Sequence, residues 1–290
     1  MSGALAHQFA AVNEVRLHYV EAGAGPLVIL LHGFPEFWYS WRHQIPALVA
    51  AGYRVIAPDQ RGYNLSAKPR RVGAYRIEEL AADVAGLIQH AGESRATVVG
   101  HDWGGLVAWH FAMQYPDRVD KLIALNAPHP AAFRRELCRP AQLAKSWYMF
   151  FFQLPVLPEC VIRARDFAGL AKTLRTDPVR PGAFTDEDIP LYQQALAQPG
   201  ALTAAINYYR ALFCRPLLEL RRPYPTITVP TLLIWGERDR YMTPRATENL
   251  GSWVPHLRIQ RIPDASHWVQ QDAPERVNEW MIDFLRGRQF

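Results

Sequence analysis

A mostly parallel α/β sheet interrupted by a helical insertion is the fold class predicted from three features of the sequence. Short apolar runs alternate with helical patterns toward both ends of the chain, as in sheets assembled from strand–helix–strand units. From about Pro128 to Pro223 that alternation stops; the stretch has no clear strand, is rich in Arg, Pro and aromatics, and offers several helical segments. The length, 290 residues, is long for one average domain but accommodates one α/β core with an insertion. No internal repeat or low-complexity segment appears.

Val15 to Val20 and Leu27 to Leu31 read as the first strands. Arg54 to Pro58, Thr97 to Gly100 and Leu122 to Leu125 follow at intervals that leave room for a helix. Before the second of these, Ile77, Leu80, Ala81, Val84, Leu87 and Ile88 keep helical spacing on one face, and Gly92 stands where a C-terminal cap belongs. Trp103 to Tyr115 has helical spacing as well. Within the insertion, Thr185 with Asp188 three residues later resembles a capping box. Thr231 to Trp235 and Leu257 to Ile262 resume the strand pattern, and Pro274 opens a last helix over Glu275 to Arg286.

Composition narrows the partners. Hydrophobic residues make up 49% and charged residues 20%, which suits a globular chain with a substantial core. The net charge of +5 comes without any run of five basic residues, and the pairs Arg134-Arg135 and Arg221-Arg222 read as solvated faces, so no nucleic acid is expected. Met1 to Ala11 lacks the pattern of a signal peptide and no stretch of 18 apolar residues occurs, so the expectation is a cytoplasmic protein with no membrane partner. Cys138, Cys160 and Cys214 lack metal-ligand spacing and are expected to be reduced, small, buried side chains; no metal and no cofactor is expected.

The chemistry centres on Gly100-His101-Asp102-Trp103-Gly104. This has the G-x-nucleophile-x-G form of a nucleophile elbow, placed between an apolar strand and a helical pattern, with aspartate where serine is usual. A serine must lose a proton to attack, and its histidine is occupied in taking it. Aspartate, ordinarily ionised well below neutral pH, attacks a saturated carbon unaided and leaves a histidine free to activate water later. Asp239, in Trp235-Gly236-Glu237-Arg238-Asp239, and His267, in Asp264-Ala265-Ser266-His267-Trp268, each follow a strand and complete the order nucleophile, acid, histidine. Asp239 would orient His267 and stabilise its charged form; Glu237, Asp264 and Asp272 are rival acids. His101 is expected to pack rather than react. After the strand Leu27 to Leu31, His32-Gly33-Phe34-Pro35 can aim the Phe34 amide at the centre and form an oxyanion hole with the Trp103 amide.

Over essentially its whole length the chain resembles an α/β-hydrolase of the soluble, microbial-type epoxide hydrolase family. The carrying residues are His32-Gly33-Phe34-Pro35-Glu36, Gly100-His101-Asp102-Trp103-Gly104-Gly105, Trp235-Gly236-Glu237-Arg238-Asp239 and Ala265-Ser266-His267-Trp268, where Ser266 replaces a glycine frequent in the family. Arg61-Gly62-Tyr63 is also familiar there, with no catalytic role carried over. The resemblance implies an α/β-hydrolase fold: a mostly parallel eight-stranded sheet flanked by helices, with residues 1–127 and 224–290 as core and 128–223 as an inserted helical cap.

It also implies two cap tyrosines that donate to an opening epoxide oxygen. Tyr148 and Tyr209 stand in segments similar to the family's, with Tyr208 the competitor of Tyr209 about 100° around a helix. A departing halide needs no proton. Phe34 offers no side-chain donor where haloalkane dehalogenases often carry asparagine, and no arginine follows Asp102 as in fluoroacetate dehalogenases. The expected function is therefore cofactor-independent hydrolysis of a small hydrophobic epoxide to a vicinal diol through an ester on Asp102. Phe34, Trp38, Trp103, Trp147, Phe151 and Trp268 are expected to line the substrate pocket, although Phe150, Phe151 and Phe152 cannot all face one way. The alternatives are a haloalkane or haloacid dehalogenase of the same fold, and a non-catalytic ligand-binding homologue. A monomer and a homodimer are both compatible with the sequence.

Overall fold

The computed structural model describes residues 5–214 and 223–288, so Arg221-Arg222 and the end of the expected insertion lie outside the described residues. Eight strands form one sheet: β1 (Ala6–Val12), β2 (Val15–Ala22), β3 (Leu27–Leu31), β4 (Arg54–Pro58), β5 (Ala96–His101), β6 (Val119–Leu125), β7 (Thr231–Gly236) and β8 (Leu257–Ile262). Their spatial order is β1-β2-β4-β3-β5-β6-β7-β8. β2 runs antiparallel to β1 and to β4, and every neighbour from β4 onward is parallel.

The central strands are apolar throughout because both faces of the sheet are covered. Leu27, Ile29 and Leu31 of β3 join one core layer and Val28 and Leu30 the other; Leu122 and Ala124 of β6 divide from Ile123 and Leu125 in the same way. β4 lies on one side of β3 and β5 on the other, so the direction of winding reverses between β3 and β5. A crevice opens at such a switch point, at the carboxyl ends of the strands. The segments after β3 and β5 are His32-Gly33-Phe34 and Asp102.

Several sequence-level readings agree with the local structure. After β3 comes α1 (Gln44–Ala50), and the next helix, α2 (Ile77–His90), is followed by Gly92 at φ 78°. α3 (Trp103–Gln114) leaves the elbow, and the closing helix Pro274–Leu285 carries proline in its first turn. Thr185 and Asp188 bond reciprocally, amide to side chain, at 2.8 and 3.3 Å. Between β6 and β7 the described residues form helices only: α4 (Pro130–Leu137), α5 (Pro140–Lys145), α6 (Trp147–Phe151), α7 (Leu157–Thr176), α8 (Asp188–Ala197) and α9 (Ala201–Phe213). α7 is kinked at Ala164 to Phe167, where Arg165, Asp166 and Phe167 take positive φ.

Two features differ from expectation. β1 has no counterpart in the strand reading because it is an edge strand with only Ala10 and Val12 buried, which leaves little alternation to see. Cys138, Cys160 and Cys214 are exposed rather than buried. Cys138 and Cys214 follow the last turns of α4 and α9, and Cys160 is on the outer side of α7, so none reaches a core layer. Among the described residues no helix is long and apolar enough to cross a membrane.

Candidate active site

Asp102 sits between β5 and α3 with φ 51° and ψ −117°, a strained conformation for a residue with a side chain. The turn closes so tightly that a Cβ on Gly100 would strike the Gly104 carbonyl. Gly33 is constrained equally: a Cβ there would lie 2.5 Å from Asp102 Cβ and 2.6 Å from its Oδ1. With that space kept free, the Phe34 amide donates to Asp102 Oδ1 at 2.8 Å. The Trp103 amide belongs to the first turn of α3, among the N–H groups that a helix leaves without an internal acceptor.

His267 bridges two carboxylates. Its Nδ1 is 2.8 Å from Asp239 Oδ2, and its Nε2 is 3.5 Å from Asp102 Oδ2. A carboxylate only accepts, so Nδ1 carries the proton in the Asp239 bond. Asp239 is buried and fully partnered: Asn126 Nδ2 donates to Oδ2 at 2.8 Å, and the amides of Tyr241 and Met242 donate to Oδ1 at 2.7 and 2.9 Å. Burial works against the Asp239 charge, but the His267 charge and these hydrogen bonds outweigh it and hold the carboxyl below its ordinary range. For His267, burial again opposes ionisation; the Asp239 charge, the hydrogen bonds it donates to both carboxylates and the Asp102 charge together push it up to about 10. The rival acids are elsewhere engaged. Asp272 accepts from the Ser266 and Arg180 amides, Glu237 faces Arg261 at 3.6 Å, and Asp264 is exposed.

His101 does more than fill space. Its Nδ1 meets Glu36 Oε2 at 2.7 Å and its Nε2 the backbone carbonyl of His267 at 2.8 Å, while Glu36 also accepts from the Gly33 amide at 3.2 Å. The two loops that carry Phe34 and His267 are thereby tied to the elbow from below. His32 is buried with Nδ1 on the Gly33 carbonyl and Nε2 accepting from the Gln60 amide; burial lowers its pKa.

Above Asp102 a cavity of about 440 Å³ is bounded by Phe34, His267 and Trp268 on the sheet side and by Trp147, Tyr148, Phe151, Phe152 and Tyr209 on the helical side. Tyr148 and Tyr209 meet edge to face with ring centroids 5.8 Å apart. Burial pushes both phenols well above their ordinary pKa, with Asp102 adding to the effect in each. Tyr208 turns away, as its position on α9 requires, and its hydroxyl donates to the Arg61 carbonyl at 2.6 Å.

Two expected wall residues are not on the wall. Trp38 packs against His7, Phe37 and Tyr39, because its amide is tied to Asp59 and holds it away from the cavity. Trp103 is buried behind Tyr209, edge-on at 5.0 Å, and supports that ring instead of facing the cavity. Tyr241 is a wall residue that the sequence reading missed. It lies two positions beyond Asp239, its ring is 5.1 Å from that of His267, and its hydroxyl donates to Asp177 at 2.5 Å. Its only signal in the sequence was proximity to the acid.

Residues 26–274 match the family model described as the alpha/beta hydrolase fold. The AB hydrolase superfamily protein YfhM of Bacillus subtilis is 45% identical over 97% of this chain and 98% of its own length. Epoxide hydrolase 1 of Caenorhabditis elegans is 42% identical over 97% of this chain and 70% of its own. The chain belongs to the epoxide hydrolase family of α/β-hydrolases. Among solved structures, an epoxide hydrolase from Bacillus megaterium bound to an inhibitor superposes with a TM-score of 0.88 at 35% identity, covering 96% of this chain and 100% of that one. The epoxide hydrolase family thus meets this chain in both sequence and fold.

Proposed function

We propose that the protein hydrolyses epoxides to vicinal diols through an ester on Asp102, with the sheet and its flanking helices (residues 1–127 and 224–290) as catalytic core and residues 128–223 as a cap. The observation that carries this is the facing of the Asp102–His267–Asp239 array by Tyr148 and Tyr209 across one cavity.

Asp102 Oδ1 is held by the Phe34 amide, so Oδ2 is the oxygen left to attack. It displaces the epoxide oxygen from carbon with inversion; the C–O bond of the ring breaks as the ester C–O bond forms. Tyr148 and Tyr209 donate to the developing alkoxide, and one supplies its proton. Their raised pKa values keep both phenols protonated at neutral pH, the form a donor needs.

Esterification removes the Asp102 charge, and with it one support of the His267 cation. His267 then gives up its Nε2 proton, which restores the phenol that protonated the alkoxide; the neutral imidazole takes a proton from water, and the hydroxide adds to the ester carbonyl carbon. The Phe34 and Trp103 amides hold the oxyanion that forms on Oδ1; loss of one such donor typically costs about 2.7–4 kcal/mol of barrier. Collapse expels the diol as an alkoxide, which takes the proton that His267 received from water; the Asp102 carboxyl proton then returns to His267, restoring the carboxylate and the charged imidazole. Asp239 keeps the imidazole in its tautomer and compensates its charge.

The cavity wall is mainly aromatic and aliphatic, which favours a hydrophobic epoxide. A mutant of a Bacillus megaterium epoxide hydrolase has been solved with a naphthyloxy-propanediol as its product, and an aryl ether epoxide is a suitable first probe here. The test is a panel pairing such epoxides with alkyl halides, run with wild type and Asp102→Asn. Diol formation lost in the variant supports the reading; halide release without diol contradicts it.

A further inference from the structure

Most of the exposed large apolar side chains of the described residues lie on the helices between β6 and β7. Leu143, Trp147, Phe150 and Leu154 are all exposed and recur every three or four residues along α5, α6 and the turn after them, an apolar stripe in the sequence that breaks at Ser146 between the two helices. Trp147 is 63% exposed, and the Phe150 ring meets that of Phe213 at 5.6 Å. Across the following turn Val156 is 67% exposed and adopts φ 65°, a strained conformation for a β-branched residue, which turns it to solvent ahead of Leu157 and Val161. Contiguous apolar surface of this kind marks an interaction site rather than ordinary surface.

The stripe is continuous with the cavity. Trp147 and Val161 are outward-facing and also line the space above Asp102. Its flanks are basic. Beside Trp147 a shallow depression carries Lys145 and Arg240 against one carboxylate, Asp177; beside Val156 a second carries Arg163 and Arg210 against Glu159. Each has one cation in excess. Among the described residues no ion pair is found for Arg163, and Arg165 and Lys172 add further cations on α7.

We propose that this face docks on an anionic phospholipid surface, with the cavity mouth turned to the acyl chains so that a lipophilic epoxide enters without crossing water. An aromatic and aliphatic face flanked by Lys and Arg is the composition of an interfacial anchor, in which apolar burial and attraction to anionic headgroups act together. That no helix among the described residues is long and apolar enough to cross a membrane is compatible with this, since docking needs only one face. It departs from the expectation of no membrane partner, which rested on runs of consecutive apolar residues and is blind to a surface assembled from several short helices. The entry route rests on the cavity being the substrate site; the docking itself does not.

The experiment is co-sedimentation of the wild-type protein, without epoxide, with vesicles of phosphatidylglycerol and phosphatidylcholine and with vesicles of phosphatidylcholine alone. Wild type is expected to partition onto the anionic vesicles at low salt, more weakly onto neutral ones, and less as salt rises. The pair Phe150→Ser and Leu157→Ser is expected to lower partitioning by on the order of tenfold per side chain, and Arg163→Glu to weaken it chiefly at low salt. Turnover of a water-soluble epoxide without vesicles reports that the variants are folded. Partitioning unchanged by the serine pair, or no partitioning of wild type, overturns the proposal. So does wild-type self-association that the pair abolishes without vesicle binding, which would assign the face to a second copy of the chain. Failure of epoxide turnover with vesicle binding intact would count against the hydrolase reading and not against the docking.

Discussion

The Nε2 of His267 lies 3.5 Å from the Oδ2 of Asp102, while its Nδ1 makes a 2.8 Å bond to Asp239. One imidazole thus has one carboxylate partner that stays charged in the proposed route and a second that would lose its charge on esterification. In that route the two half-reactions need His267 in different states: charged beside a free Asp102, and neutral beside an esterified one.

His267→Gln should therefore form the ester and stop. Intact-mass measurement after mixing with substrate should show the protein heavier by one epoxide, with steady turnover down about 10³-fold or more. Unaltered turnover would show that water is activated elsewhere.

The pH dependence follows from the same residue. His267 is pushed up to about 10 in the folded free enzyme, above its ordinary value near 6.5. A group raised on folding contributes stability that is fully present below its unfolded pKa and is lost as pH rises through its folded one. The melting-temperature difference between wild type and His267→Gln should accordingly be largest near pH 6 and narrow toward pH 10. In catalysis, single-turnover ester hydrolysis should accelerate with pH over a range below 10, since esterified Asp102 no longer supports the cation. Ester formation should vary little until the pH approaches 10, where His267 loses the charge it carries beside free Asp102.

Much of the site was legible because the chemistry and the sheet impose local patterns. Strand, small-residue turn and helix around Asp102 are contiguous in sequence, and Asp239 and His267 follow strands in the order the fold requires. Other positions depend on contacts between distant segments. Trp38 is as aromatic as Trp147, but its backbone N–H donates to the Asp59 carboxylate and its ring packs on His7, Phe37 and Tyr39, contacts that no spacing rule records. Tyr241 enters the wall because its amide holds Asp239 and its hydroxyl holds Asp177, partners on separate loops. Phe150, Phe151 and Phe152 do not all face one way: Phe150 turns outward, while Phe151 and Phe152 both line the cavity, Phe152 also packing into the core.

In the proposed route, Tyr148→Phe and Tyr209→Phe would each remove one donor to the leaving oxygen while leaving the ring packing in place. Loss of general-acid catalysis is expected to cost about 10²–10⁴-fold when no substitute remains. Because two phenols share the task, each single variant should fall at or below the lower end and the double variant well beyond it. Rapid-mixing kinetics should place the defect in ester formation, with hydrolysis of a preformed ester unaffected.

Gly33→Ala tests the closeness of the Phe34 loop to the elbow. The added methyl would occupy space 2.5 Å from Asp102 Cβ, so either the nucleophile or the Phe34 amide must move. A displacement near 1 Å can cost about 10²-fold in rate. Both half-reactions should suffer, unlike in the His267 and tyrosine variants, and single-turnover kinetics separate the three patterns.

The ester on Asp102 is the central claim, and a single turnover in ¹⁸O-labelled water with enzyme in excess tests it most directly. Water attacks the ester carbonyl carbon in the proposed route, so the label should appear in the Asp102 carboxylate and the first diol should carry none. Label found directly in that first diol, with Asp102 unlabelled, would contradict the route and make Asp102 a base instead of a nucleophile.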